Sequence, residues 1–127
     1  MGACYIRKMI LDLTHKNLNV YQISRRIVKE CYQITNTFPV SERYNLTQQI
    51  NRAATSIILN LSEGASRKSS MERKRFYEIA RGSLVAIDTA LQVSYDLNYM
   101  DEAKLEVLKP LMNQCFGMFS KMIKTLT

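Results

Sequence analysis

Hydrophobic residues recur at helical spacing in four long segments of the chain, separated by short polar stretches. One face of a helix is apolar when such residues repeat every three or four positions. The apolar sets are Val20, Ile23, Ile27, Cys31 and Ile34; Leu46, Ile50, Ala53, Ala54, Ile57, Ile58 and Leu61; Phe76, Ile79, Ala80, Ser83, Leu84, Ile87, Ala90, Leu91 and Ser94; and Leu105, Leu108, Met112, Cys115, Phe116, Phe119, Ile123 and Leu126. The pattern therefore predicts four amphipathic helices.

Residues that start and stop helices fall between these segments. The residue before a proline disfavours helical geometry, so Phe38-Pro39 should end the first helix. Ser41 is the predicted N-cap of the second helix, and Ser69 with Glu72 forms a capping box for the third. Asp101 is the predicted cap of the fourth helix, which Pro110 should bend.

Only two prolines and four glycines interrupt 127 residues, which favours long helices over short strands. Short connections make consecutive helices antiparallel neighbours. The predicted fold is all-α, an antiparallel up-down four-helix bundle over residues 15–127. Residues 1–14 form an N-terminal extension, either a short extra helix or an arm.

Charge is the strongest functional signal in the composition. The net charge is +7, and residues 1–81 hold 14 Lys/Arg against 6 Asp/Glu, whereas residues 82–127 hold 4 against 5. A basic half indicates an anionic partner, and nucleic acid is the most common such partner. The alternative is a solvated basic surface that only aids solubility.

The basic residues concentrate around the corner between the second and third helices. Free N–H groups at the start of a helix favour phosphate binding there. Contacts of this kind are made to the backbone and are weakly sequence-specific. Tyr77 either stacks on an exposed base or is half-buried. The predicted nucleic-acid-binding residues are Arg67, Lys68, Arg73, Lys74, Arg75 and Arg81, with Arg25, Arg26 and Lys29 on the first helix.

A polar stripe runs along the second helix and includes Arg52, Asn60, Glu63 and Arg67. Glu63 and Arg67 are four residues apart in the order that favours an ion pair. The alternative is a catalytic carboxylate, but no second acid is placed to share acid–base work. We therefore interpret the stripe as structural.

Two apolar residues point away from the predicted core. Leu59 lies on the outer face of the second helix and Val85 on the outer face of the third. Single exposed apolar residues are ordinary, but two on adjacent helices raise the prospect of a protein interface. They are the predicted oligomer interface.

Catalytic and metal-binding patterns are missing from the sequence. His15 is the only imidazole, and neither a phosphate loop nor a metal motif occurs. The cysteines at positions 4, 31 and 115 are widely spaced and are interpreted as reduced thiols. The sequence therefore predicts a protein that is not an enzyme and has no cofactor or metal. Without an export signal or a membrane span, we expect it in the cytoplasm.

The stretch from Leu18 to Tyr99 resembles the bacterial four-helix-bundle family of ribosomal-RNA intervening-sequence proteins. That family includes the accessory variability determinant proteins of diversity-generating retroelements. The matching features include Phe38-Pro39, Gln49-Ile50, Arg52-Ala53-Ala54, Asn60, Glu63-Gly64, Arg67, Ser69, Glu72, Arg75-Phe76 and Gly82-Ser83-Leu84.

The resemblance implies a ring-like homopentamer without enzymatic activity. It implies an accessory protein that binds RNA or DNA through a basic surface and assists a reverse transcriptase. The alternative is an oligomeric scaffold for protein–protein interaction that has no direct nucleic-acid role.

Overall fold

A computed structural model describes residues 10–126, and its architecture is all-α. Four long helices carry the fold: α1 (Asn19–Thr35), α2 (Leu46–Ala65), α3 (Ser70–Asp96) and α4 (Leu105–Thr125). Short 3₁₀ turns precede α1, α2 and α4, at Thr14–Asn17, Val40–Glu42 and Glu102–Lys104. The predicted four-helix fold class is confirmed.

The start of α2 differs from the prediction. Ser41 was expected to cap this helix, but it lies inside the 3₁₀ turn, and Asn45 occupies the N-cap position. Glu42 supplies the acceptor, because its Oε1 atom lies 3.4 Å from the Leu46 backbone N and accepts from Asn45 Nδ2 at 3.0 Å. Because of the 3₁₀ turn after Pro39, α2 begins about four residues later than predicted.

The caps of the last two helices follow the prediction more closely. Ser69 Oγ accepts from the Glu72 backbone N at 3.2 Å and caps α3. Asp101 Oδ1 accepts from the Lys104 backbone N at 3.3 Å, so it caps the 3₁₀ turn that leads into α4. Pro110 lies inside α4, where its ring cannot donate to the carbonyl of Glu106.

The buried face of α3 differs from the predicted one near the start of the helix. Ile79 was assigned to the core but is 43% exposed, whereas Tyr77 is only 7% exposed. Ala80, Leu84, Ile87, Leu91 and Ser94 are buried as predicted, and Tyr77 joins them. The ring of Tyr77 packs against Gly64 of α2, and Ile79, two residues further on, faces outward.

Each helix contacts its neighbours along the chain, and α1 also contacts α4, so the four helices enclose one core. Contacts across the bundle fix the antiparallel order. His15 Nε2 lies 3.0 Å from Ser62 Oγ at one end, and Tyr99 Oη donates to Glu42 Oε2 at 2.9 Å at the other. None of the described helices is both long and apolar enough to cross a membrane.

Candidate nucleic-acid interface

The corner between α2 and α3 is held by a close approach of the two helices. Gly64 is buried, and a Cβ atom on it would lie 2.6 Å from Tyr77 Cε1 and 3.0 Å from Phe76 Cβ. Only glycine fits this position without displacing the aromatic ring. The packing fixes the direction in which α3 leaves the corner, and so it fixes where the basic side chains point.

Arg67 and Arg73 stiffen the corner by contacts to nearby groups. Arg67 Nη2 forms an ion pair with Glu63 Oε2 at 2.9 Å, and its guanidinium carbon lies 5.1 Å from the centre of the Phe76 ring. Arg73 Nε donates to the Arg67 backbone carbonyl at 2.6 Å. The predicted ion pair is present, and both arginines are held in place at the surface.

Lys68, Lys74 and Arg75 extend the corner toward solvent. Lys68 and Arg75 are exposed and Lys74 is half-buried, and none of the three makes a side-chain hydrogen bond within the described part of the chain. Their charges are therefore available to an anion without breaking an existing contact. Residues 66–75 contain five Lys/Arg and one Glu, which makes this corner strongly positive.

Arg81 connects the corner to α4. Its Nη1 atom donates to Ser120 Oγ at 3.1 Å, and its guanidinium carbon lies 5.6 Å from the centre of the Phe116 ring. This contact brings the last turns of α4 to the same end of the bundle, where Lys121 and Lys124 are both exposed. We call the α2–α3 corner together with these turns of α4 the basic end.

Lys121 and Lys124 were not among the predicted binding residues. They are far from Arg67 in sequence and stand in a segment whose net charge is negative. The signal that identifies them is topology, because in an up-down bundle the end of the fourth helix lies beside the corner between the second and third.

The predicted cations of the first helix form a second group. Arg25, Arg26 and Lys29 lie on α1, which packs against α2 and α4, whereas the corner joins α2 and α3. Arg26 and Lys29 are exposed and Arg25 is half-buried. The nine predicted cations are therefore divided between two parts of the surface.

Tyr77 lies beneath the corner and is buried against Gly64. Burial raises the pKa of its hydroxyl, and the nearby charge of Arg73 lowers it by a smaller amount. The ring is therefore not presented to solvent for base stacking.

The polar stripe of α2 is joined to α3 by one hydrogen bond, through Ser56. Ser83 Oγ donates to Ser56 Oγ at 2.9 Å, and Asn60 Nδ2 donates to the Ser56 carbonyl at 2.8 Å. Arg52 is exposed. The stripe therefore makes mainly contacts within its own segment, ending in the Glu63–Arg67 ion pair.

Leu59 and Val85 are exposed as predicted, by 63% and 52%. Val85 lines a groove of about 540 Å³ between α3 and α4, together with Phe116 and Met112. Leu59 lies on α2, which packs against another side of α3. The two residues therefore lie on different surfaces of the bundle.

Groups with catalytic potential are few and inert among the described residues. Burial raises the pKa of the Cys31 thiol to about 12 and that of Cys115 to about 11, so both stay protonated. His15 is engaged with Ser62, and burial lowers its pKa. Between residues 10 and 126 no three His, Cys, Asp or Glu side chains come together as metal ligands. Cys4 lies outside the described residues.

The family model described as "23S rRNA-intervening sequence protein" matches residues 16–121 of the chain. The match includes all of α1, α2 and α3 and most of α4. No curated protein matches the chain.

Proposed function

The chain belongs to the 23S rRNA-intervening sequence protein family, and from this premise we propose that it is a non-enzymatic accessory protein that binds the backbone of RNA or DNA through its basic end. The observation that carries the proposal is the cluster of available cations at this end. Lys68, Lys74 and Arg75 have no competing side-chain partner in the described part of the chain, and Lys121 and Lys124 lie nearby on α4.

The start of α3 strengthens this surface. Ser69 satisfies one N–H group of the first turn, and the positive end of the helix dipole adds to the nearby cations. Lys binds a phosphate through its single ammonium charge, and Arg binds one through two parallel hydrogen bonds from its guanidinium group. Neither contact depends much on base sequence. We therefore expect affinity to fall steeply as salt rises, because bound phosphates release counterions.

A homo-oligomer is the second part of the proposal. Leu59 and Val85 are exposed apolar residues on different surfaces of the subunit. A head-to-tail contact between two different surfaces forms a closed ring when the rotation between neighbouring subunits closes, and such a ring suits the pentamer that the family resemblance implies. A ring would repeat the basic end around its axis, and several weak phosphate contacts would then act together. The protein partner that the resemblance implies is a reverse transcriptase of a diversity-generating retroelement.

The test is binding of a labelled structured RNA, measured by fluorescence anisotropy at low and physiological salt. Charge reversal of Lys68, Lys74 and Arg75 should reduce affinity about a hundredfold or more and flatten the salt dependence. These three are chosen over Arg73 because Arg73 holds the Arg67 carbonyl, and its loss would disturb the corner.

A matched control uses single charge reversals at the two ends of the bundle. Arg75→Glu should weaken binding, whereas Lys109→Glu, at an exposed position in the other half of α4, should change it little. Circular dichroism and light scattering verify that each variant keeps its fold and its oligomeric state. Equal losses from both single variants, or full affinity in the triple variant, would contradict the assignment of the basic end.

An oligomeric scaffold without a nucleic-acid role is the alternative, and the α3–α4 groove favours it. Phe116 is 41% exposed there, beside Val85, and acids stand at the rim, including Asp88 and Glu106. A scaffold would form the same discrete oligomer with or without RNA at both salt concentrations. Light scattering in the presence of RNA separates the two functions.

A further inference from the structure

A second pocket lies between the end of α1 and the start of α2, away from the basic end. It is open, has a volume of about 330 Å³, and is lined by Tyr32, Asn36, Val40, Arg43 and Asn51 among others. This volume is at the lower limit of small-ligand sites. It combines an aromatic ring, two amides and a guanidinium, and the proposed backbone contacts at the basic end use none of them.

The aromatic wall of the pocket is exposed. Tyr32 is 48% exposed, and Val40 on the facing turn is 84% exposed. Val40 is exposed because the turn after Pro39 carries it away from the core. A flat ligand placed here would cover apolar surface that the folded chain leaves in water, and stacking on an aromatic ring is one way to do so.

The floor of the pocket carries polar groups in fixed positions. Thr35 Oγ1 donates to Asn51 Oδ1 at 3.0 Å, which orients the Asn51 amide so that its Nδ2 group can donate to a ligand. Asn36 is exposed at the rim and offers both a donor and an acceptor. Paired amide groups match the donor and acceptor edges of nucleobases, which asparagine reads through two hydrogen bonds.

Cations flank the pocket on α1 and on the α1–α2 connection. Arg43 is exposed at the rim, with its guanidinium carbon 5.8 Å from the centre of the Tyr44 ring. Lys29 is exposed one turn before Tyr32 on the same side of α1. We expect the phosphates on either side of a base in the pocket to contact these two side chains. The arrangement thus gives a role to a cation of the first helix that the basic end does not include.

We propose that this pocket binds an unpaired base of a single-stranded nucleic acid, with Tyr32 as the stacking ring and Arg43 and Lys29 as phosphate contacts. The inference rests on the proposed function, because it gives the same ligand class a second contact of a different kind. The basic end binds phosphates of any strand, whereas the pocket selects strands whose bases are unstacked.

The experiment compares a short, unstructured, fluorescein-labelled RNA with a perfectly paired RNA duplex, using the full-length protein at physiological salt. Tyr32→Ala should weaken binding of the single strand about tenfold or more, since stacking of one base on an aromatic ring has that magnitude. Binding of the duplex should not change, because its bases are unavailable. Tyr32→Phe is the matched control and should retain single-strand affinity, since it keeps the ring.

A second RNA isolates the base from the phosphates. An abasic version of the same strand should bind wild type and Tyr32→Ala equally, whereas it remains sensitive to Lys29→Glu and Arg43→Glu. Unchanged single-strand affinity of Tyr32→Ala, with the duplex still bound, would overturn the pocket and leave the proposed function standing. Failure of wild type to bind either RNA would overturn the proposed function and the pocket together.

Discussion

The two ends of the bundle are built from different interactions. At the basic end, residues 66–75 hold five cations and one acid, and the contacts are charged: Glu63 with Arg67, and Arg73 with a backbone carbonyl. At the opposite end, residues 97–106 hold one lysine and three acids. There the two connections are joined by a hydrogen bond from Tyr99 to Glu42 and by an aromatic contact, the Tyr99 ring centre lying 5.7 Å from that of Phe38.

The difference between the two ends lies in how each one balances its charge. The opposite end ties the α1–α2 and α3–α4 connections together, and it adds Lys104 Nζ donating to Thr37 Oγ1 at 3.0 Å. The basic end has too few acids to neutralise its cations, and like charges held close together cost stability. Close packing of Gly64 against Tyr77 provides the fixed frame on which that excess charge is carried.

The largest expected effect comes from breaking that frame. Gly64→Ala places a Cβ within 3.0 Å of the Tyr77 ring, and such overpacking costs about 1–3 kcal/mol. Because the approach of 2.6 Å is far inside van der Waals contact, we expect the upper part of this range, which outweighs the roughly 1 kcal/mol by which alanine is the better helix former. Urea unfolding should give a lower free energy of unfolding for the variant.

Gly82 provides the matched control for this change. No atom outside its own helix backbone lies within 4 Å of a Cβ built there. Gly82→Ala should therefore raise the free energy of unfolding by about 0.5–1 kcal/mol. If both substitutions stabilised the protein, the close approach of α2 and α3 at Gly64 would be wrong.

The helix caps allow the two ends to be compared directly. Ser69→Ala should cost about 1 kcal/mol, because Ser69 caps the full α3 helix at the basic end. Asp101→Ala should cost less, since Asp101 caps only the short turn before α4. Urea unfolding of both variants measures the difference. A larger cost for Asp101→Ala would mean that the opposite end depends on its cap more than on its aromatic contacts.

Apolar spacing was sufficient to predict the number and order of the helices, because a stripe of apolar residues can be buried in few ways. It misassigned one position of the α3 face, since Ile79 and Tyr77 are both apolar enough for a core, and the small Gly64 opposite makes room for Tyr77. It also failed for the cap of α2. A serine near a proline fits either a cap or a turn, and the chain geometry after Pro39 selects the turn.

The candidate site could be predicted in part for a similar reason. A run such as Arg67–Arg75 is visible in sequence, whereas Lys121 joins it only through the packing of α4. The pocket at Tyr32 could not be predicted, because its walls come from three segments and none of them carries a motif. Sequence shows local charge, but concave surfaces depend on how the connections are folded.

The bond between the two connections predicts a response to alkaline pH. Hydrogen bonding to Glu42 raises the pKa of Tyr99, with smaller contributions from burial and from the charge of Glu42. The Tyr99 hydroxyl therefore keeps its proton to a higher pH in the folded protein than in the unfolded chain. As a result, the free energy of unfolding falls as pH rises above about 10. Tyr99→Phe should lower the urea midpoint at neutral pH and remove this part of the alkaline loss. Identical alkaline profiles for wild type and variant would rule out the Tyr99–Glu42 bond.

The smallest expected effect is an acid response at the basic end. Burial lowers the pKa of His15, and the charge of Lys16 lowers it further. The unfolded chain therefore takes up a proton at about pH 6.5, before the folded protein does, and stability should fall as pH decreases through that region. His15→Gln stays neutral and should show a flatter profile over the same range, read as the difference in urea midpoint between the two proteins.

Because His15 contacts Ser62 of α2, the loss of stability at low pH should be accompanied by faster amide hydrogen exchange in the last turns of that helix. Faster exchange near Tyr99, with none in the last turns of α2, would contradict the assignment of the acid response to the His15–Ser62 contact.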